Sequence, residues 1–154
     1  MKFLVVAVGH RMPAWVYAGF AEYAGRMPRE ARIELVALKP APRGGAVRRV
    51  LDAEGERILA ALPANCVRVA LDEHGTLVNT AELAQRIARW QQGGRDVAFI
   101  IGGADGLAQS VKQAADLVWA LSPLTLPHGL ARVVLAEQLY RAVSILHNHP
   151  YHRE

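Results

Sequence analysis

Phe3 to Val8 is an unbroken apolar run rich in valine, the pattern of a strand covered on both faces. Pro13 suits the first turn of a helix, and Val16, Phe20, Tyr23 and Met27 follow at helical spacing on one face. Ile33 to Leu38 reads as a second strand, and a Pro/Gly-rich stretch at 40–45 breaks the chain. Val47, Leu51, Ile58 and Leu62 then predict a helix whose Arg48, Arg49, Asp52 and Glu56 face water. Val67 to Leu71 is a third strand ending at Asp72, with Gly75 supplying a turn. Thr80 is placed to cap a helix carrying Leu83, Ile87 and Trp90 and closed by Gly93 and Gly94. Val97 to Ile101 is the fourth strand, about 107 to 115 a short helix, and Leu117 to Leu121 the fifth strand.

Strands alternating with helices predict an α/β fold: a parallel sheet covered by helices on both faces, with right-handed, unknotted crossovers as the general expectation. The last helix, about 130 to 148, differs from the others. Leu135, Leu139, Ala142, Val143 and Leu146 form one stripe, and Val133, Val134, Tyr140 and Ile145 widen it far beyond a single face. A helix so broadly apolar must be buried on more than one side, and a homodimer interface is the expected second cover.

At 154 residues with 52% hydrophobic side chains, the chain has material for one packed domain and not for two ordinary ones. No apolar run approaches the roughly 18 residues of a membrane span, and no small-residue cleavage site follows the first strand, so a soluble, non-secreted protein is expected. The one cysteine, Cys66, has no partner for an internal disulfide, which agrees with a cytoplasmic setting. Charge changes the picture by its position. Residues 1–50 hold nine Lys and Arg against Glu22, Glu30 and Glu34, a net +6, whereas residues 51–154 carry a net −2. Arg26, Arg29, Arg32, Lys39, Arg43, Arg48 and Arg49 thus form either a solvated basic face or a phosphate-contacting surface.

Three strand ends bear turns suited to holding a ligand. Ile100-Ile101-Gly102-Gly103-Ala104-Asp105-Gly106 puts a glycine turn directly after the fourth strand; it is not the G-x-G-x-x-G dinucleotide fingerprint, and no phosphate loop with G-K-[ST] is present. Leu121-Ser122-Pro123-Leu124-Thr125-Leu126-Pro127-His128 is a proline-stiffened loop whose free backbone groups suit reading an adenine edge, or serve as a rigid connector. Leu71-Asp72-Glu73-His74-Gly75 closes the third strand. The C-terminal His147-Asn148-His149-Pro150-Tyr151-His152-Arg153-Glu154 has three histidines but no closed zinc spacing; no metal is expected, and Tyr151 beside His152 and Arg153 suits base stacking and phosphate contact.

Taken together, VAVGHRMPAWV, the RGG loop, LDAEGERIL, LDEHG, GRDVAFIIGGADGL, LSPLTLPHGLARVVLAEQLYRA and NHPYHRE resemble the RlmH family of SPOUT-superfamily methyltransferases over essentially the whole chain. The resemblance implies methylation of N3 of a pseudouridine in 23S ribosomal RNA, with S-adenosylmethionine as cofactor, in a homodimer working on the ribosome. It further implies a deep trefoil knot, which overrides the unknotted expectation, with residues from about 67 to 154 forming the knot, the cofactor site and the dimer interface of a single domain. Carried over by position, Leu71, Gly102, Gly103, Leu121, Ser122, Pro123, Leu124, Thr125 and Leu126 would bind the cofactor, and Tyr151, His152 and Arg153 would bind and position the target nucleotide. The chain departs from many relatives in carrying Ala104-Asp105 within the glycine turn and His74 after Asp72-Glu73.

His152 is the first candidate for taking the imide proton, because imidazole titrates near neutrality, with His128 and Glu137 behind it. For Glu137 an i,i+4 pair with Arg141 is the competing assignment. Two other functions are set against this one: a ribosome-associated RNA-binding module without catalysis, and a SPOUT methyltransferase acting at another RNA site. A nucleotide-dependent oxidoreductase is disfavoured by the missing fingerprint.

Overall fold

The computed structural model describes residues 1–153. Five strands, β1 (Lys2–Val8), β2 (Arg32–Leu38), β3 (Val67–Leu77), β4 (Val97–Ile101) and β5 (Leu117–Ala120), alternate with helices α1 (Ala14–Ala24), α2 (Val47–Ala61), α3 (Thr80–Gly93), α4 (Gln109–Gln113) and α5 (His128–Leu146). The strands form one parallel sheet in the order β2-β1-β4-β3-β5. Side chains of a strand point alternately to its two faces, and here both faces are dry. Phe3, Val5 and Ala7 of β1 and Phe99 of β4 join Phe20, Ile87 and Leu139 from α1, α3 and α5. Leu4, Val6 and Val8, with Ile100, meet Ile58 of α2 and Val111 of α4 on the other face. The α/β layering expected from the periodicity is therefore present.

Several local expectations change. The cap of α3 is Asn79 rather than Thr80: its side chain accepts the Glu82 N–H at 2.9 Å, while the Thr80 hydroxyl donates to Gln138 on α5. The buried face of α2 is Val50, Glu54, Gly55 and Ile58, and Val47 is 55% exposed. Its core line is thus shifted from the predicted one and contains a carboxylate. Strand β3 does not stop at Leu71. Both Leu71 and Thr76 pair with Trp119, so residues 72–75 leave the ladder as an excursion before pairing resumes. Gly75 permits this, because a Cβ there would lie 2.7 Å from the Val118 carbonyl oxygen.

Helix α5 lies against both α1 and α3, with Val133 over Gly19 and Gln138 bonded to Thr80. Much of its broad apolar surface is consequently covered within the chain. Leu130, Val134, Glu137 and Arg141 stay half-buried along the remaining seam. No helix among the described residues is long and apolar enough to cross a membrane.

Candidate functional site

The C-terminal ends of β3, β4 and β5 open on one cavity of about 870 Å³. The β3 excursion contributes Leu71, Asp72, Glu73 and His74; the glycine turn contributes Ile101 to Leu107; and the loop after β5 contributes Leu121, Ser122, Leu124, Thr125, Leu126 and Pro127. All the residues carried over as cofactor contacts line it, save Pro123, which lies between two that do. Its walls are fixed locally. Gly106 takes φ +85° and donates its N–H to Gly103, closing a tight turn. Gly102 is compelled by close approach, since a Cβ would stand 2.3 Å from the Gly106 carbonyl oxygen. Thr125 donates to Glu73 at 2.8 Å, tying the loop after β5 to the β3 excursion, and Ser122 accepts the Leu124 N–H. Asp72 is paired with Lys112 at 3.4 Å.

The cavity has the size and mixed lining of a small-molecule site. Leucines offer an apolar slot for a ring, Asp72, Glu73 and Thr125 offer polar contacts, and the buried Nδ1 of His128 has no hydrogen-bond partner. A ligand with a purine ring at one end and a charged amino-acid group at the other suits this donor set. Metal chemistry has no corresponding cluster: no group of three or more His, Cys, Asp or Glu able to hold an ion occurs among the described residues.

Tyr151, His152 and Arg153 are elsewhere. They form a short 3-10 turn, Pro150–Arg153, after the far end of α5, whose 19 residues separate this turn from His128 by roughly 27 Å at 1.5 Å per residue. Tyr151 donates its hydroxyl to Glu137 at 3.0 Å, and its ring packs on Tyr140, with the guanidinium of Arg141 4.7 Å from its centre. Burial, followed by the Glu137 carboxylate, pushes the Tyr151 phenol up to about 12. His152 is hydrogen-bonded through Nδ1 to the His149 carbonyl. Glu137 also pairs with Arg141 at 2.8 Å, as the competing assignment holds, and it lies in the tail cluster rather than beside the cavity. Of the candidate bases only His128 lines the cavity.

The basic first third is partly neutralised by acids distant in sequence. Arg43 reaches Asp105 at 3.7 Å and Lys2 reaches Glu34 at 3.5 Å, whereas Arg32 pairs with Glu34 two residues on, and Arg26 and Arg48 pair with Glu22 and Asp52 one turn away. Lys39, Arg29 and Arg49 carry no ion pair among the described residues.

A family model described as "Predicted SPOUT methyltransferase" matches residues 1–152. The chain belongs to the SPOUT methyltransferases. Within that family it is 60% identical over 155 aligned positions, 99% of both chains, to a protein of Nitrosospira multiformis called ribosomal RNA large subunit methyltransferase H. A Burkholderia mallei protein of the same name is 59% identical over the same span. Among solved structures, a probable methylase family protein from Haemophilus influenzae superposes with a TM-score of 0.55 at 13% identity, covering 97% of this chain and 69% of that one. That likeness supports the fold of this SPOUT methyltransferase.

Three features of the site escaped the sequence reading. Glu54, on the buried line of α2, lies against the glycine turn, its Oε1 3.6 Å from where a Gly103 Cβ would be. Arg132 of α5 is completely buried and bonds through Nη2 to the carbonyls of Gly9 (2.6 Å) and Val8 (3.3 Å), with Nε and Nη1 unpartnered. Desolvation lowers its pKa from the ordinary value. Tyr17 accepts the Met12 N–H and donates to the His10 carbonyl, fixing the turn after β1. A lone Arg in the apolar stripe of α5, four residues after His128, and a Glu at a core position of α2 were the available signals.

Proposed function

We propose that this SPOUT methyltransferase uses S-adenosylmethionine to methylate N3 of a pseudouridine in 23S ribosomal RNA. The observation that carries the reading is the convergence of three strand-end turns on one cavity of suitable size and lining, in a chain about 60% identical over its whole length to proteins named for large-subunit ribosomal RNA methylation. The cofactor would supply an already electrophilic methyl group. The chain's own task is to hold the acceptor in line with it and to receive the imide proton. Leu71, Leu121, Leu124 and Leu126 would enclose the adenine, with Gly102 and Gly103 letting the backbone approach closely and Ser122, Pro123 and Thr125 shaping the loop. The knot of the family, built from residues about 67–154, accords with these three turns lying side by side.

The working unit in this reading is a homodimer. Tyr151, His152 and Arg153 are held at the opposite end of α5 from the cavity of their own chain, so as RNA-contacting groups they would serve the partner's site. Calorimetric titration with S-adenosylmethionine, together with methyl transfer to whole ribosomes and to naked RNA, tests the function. No binding at millimolar cofactor would replace it with the RNA-binding module, and transfer to another nucleotide would replace the target. A chain truncated after Pro150 is expected to bind cofactor normally and to lose transfer; a normal rate would remove the tail from the site.

A further inference from the structure

A second, smaller cavity of about 270 Å³ lies at the C-terminal end of β1. It is walled by the turn Gly9 to Met12, by Pro40 and Arg43, by Glu54, and by Gly103, Ala104, Asp105 and His128. The last four residues also line the larger cavity, so the two share a wall and His128 stands at their junction. The volume falls just under the range for small-molecule sites and suits one flat heterocycle rather than a whole nucleotide.

Its chemistry is specific. Glu54 is only 6% exposed, and its carboxylate accepts one hydrogen bond, from the Ala41 N–H at 3.1 Å, with no cation beside it among the described residues. Its other oxygen, Oε1, is not among the fully buried unpartnered atoms, so it faces the cavity with its acceptor capacity open to an occupant. Donors line the same cavity: His10, Arg11, Arg43, which is held by Asp105, and His128 at the junction. The turn that carries His10 and Arg11 is pinned in advance by Tyr17 from outside and by buried Arg132 at Gly9. A uracil-type ring has the matching edge, an imide N–H between two carbonyls.

We propose that this second cavity seats the acceptor base and that Glu54 accepts its imide hydrogen. The inference rests on the methyltransferase reading above. The step balances with no further reagent: the N–H proton passes to the Glu54 carboxylate, the ring nitrogen forms the new N–C bond, and the S–C bond of the sulfonium breaks to leave a neutral thioether. Donors at His10, Arg11 and Arg43 would hold the flanking carbonyls, whose charge rises as the proton leaves.

The test is Glu54→Gln, which keeps an oxygen for the Ala41 N–H and so keeps the cavity's shape. It should bind S-adenosylmethionine within about twofold of wild type and slow single-turnover methylation of ribosomes by roughly 100-fold or more. Its rate should climb with pH as the imide ionises unaided. A readout independent of turnover comes from methyl-labelled methionine, because Met12 lines the second cavity and not the first, with Met1 and Met27 as internal controls. Pseudouridine nucleoside added to protein saturated with S-adenosylhomocysteine should shift the Met12 methyl resonance alone, and that shift should weaken in Glu54→Gln. A wild-type turnover rate in the variant, or a Met12 signal that ignores the nucleoside, overturns the assignment. Failure of the wild type to bind S-adenosylmethionine would overturn the methyltransferase reading instead.

Discussion

Gly102→Ala is the sharpest probe of how the proposed cofactor cavity is built. The new Cβ would stand 2.3 Å from the Gly106 carbonyl oxygen, 2.6 Å from its carbonyl carbon and 3.1 Å from a Leu107 methyl. The first two are backbone atoms of a turn closed by the Gly106 N–H to Gly103 bond, so no side-chain rotation relieves the contact. Restoring van der Waals distance requires the turn to move by about 1 Å. Overpacking of this kind costs roughly 1–3 kcal/mol, and losing the turn's hydrogen bond adds about 1 kcal/mol. A total of about 2–4 kcal/mol corresponds to a fall in melting temperature of roughly 5–15 °C in a chain this size. Cofactor affinity should drop with it, because the displaced residues Gly103 to Gly106 line the cavity. Gly93→Ala is the control: at the end of α3 with nothing within 4 Å of its Cβ, it should be neutral or stabilising by up to about 1 kcal/mol. Thermal melts with and without cofactor, and calorimetry on both variants, make the comparison. A Gly102→Ala protein that melts within 2 °C of wild type and binds cofactor equally would refute the reasoning; the 2 °C margin is about 0.5–1 kcal/mol.

Arg132→Met removes a buried cation with no carboxylate beside it among the described residues, together with two unpartnered donor nitrogens, Nε and Nη1. Its melting temperature should stay within about 3 °C of wild type or rise, because an unpaired buried charge offsets much of what its hydrogen bonds contribute. The lowered pKa penalises the folded state at every pH below it and is relieved only in strong alkali, so denaturation at pH 5 and pH 9 should show the same Arg132→Met effect. Asn79→Ala should cost about 1 kcal/mol by urea denaturation, whereas Thr80→Ala, at the residue first expected to cap, should lose only the contact to Gln138. For Tyr151 the raised pKa means that its phenol stays neutral in the folded chain while the unfolded chain ionises near 10. The stabilisation is therefore full below pH 10 and lost between about 10 and 12, and spectrophotometric titration should find one tyrosine ionising late, absent in Tyr151→Phe.

The sheet was legible because each strand is a short apolar run, and alternation of side chains with no polar face means cover on both sides. The three cavity-forming turns were legible because Gly and Pro punctuate them. What the sequence hid were the features that depend on contacts between distant segments. Gly75 looked like a strand terminator, yet it is a crossing point beside Val118 that lets β3 resume. Glu54 stands at helical spacing between Leu51 and Ile58, but only the packing of α2 against the glycine turn shows a carboxylate on that buried line. The acid-free basic stretch acquired Asp105 as a partner for Arg43 only once the fourth strand was placed beside the first.

The position of the tail bears on how so small a chain completes a site. Within one chain, α5 is rigidly held by α1, α3 and the sheet, so its N-terminal His128 and the Tyr151 turn after its end cannot meet by bending. The clamp on Tyr151, formed by Glu137, Tyr140, Arg26 and Arg141, makes that separation a stable state. A two-fold axis solves the geometry if it crosses α5 near its middle, because the partner's α5 then runs antiparallel and each tail arrives beside the other chain's cavity. In the proposed homodimer the half-buried seam of Leu130, Val134, Glu137 and Arg141 would form that contact. Mixing a chain carrying Glu54→Gln with one truncated after Pro150 separates the possibilities. Each homodimer is expected to be inactive. In the mixed dimer the truncated chain keeps an intact Glu54 and receives an intact tail from its partner, so one of its two sites should recover. Recovery of no activity from the mixture, under conditions where light scattering and tagged pull-down show that subunits exchange, would refute the shared site.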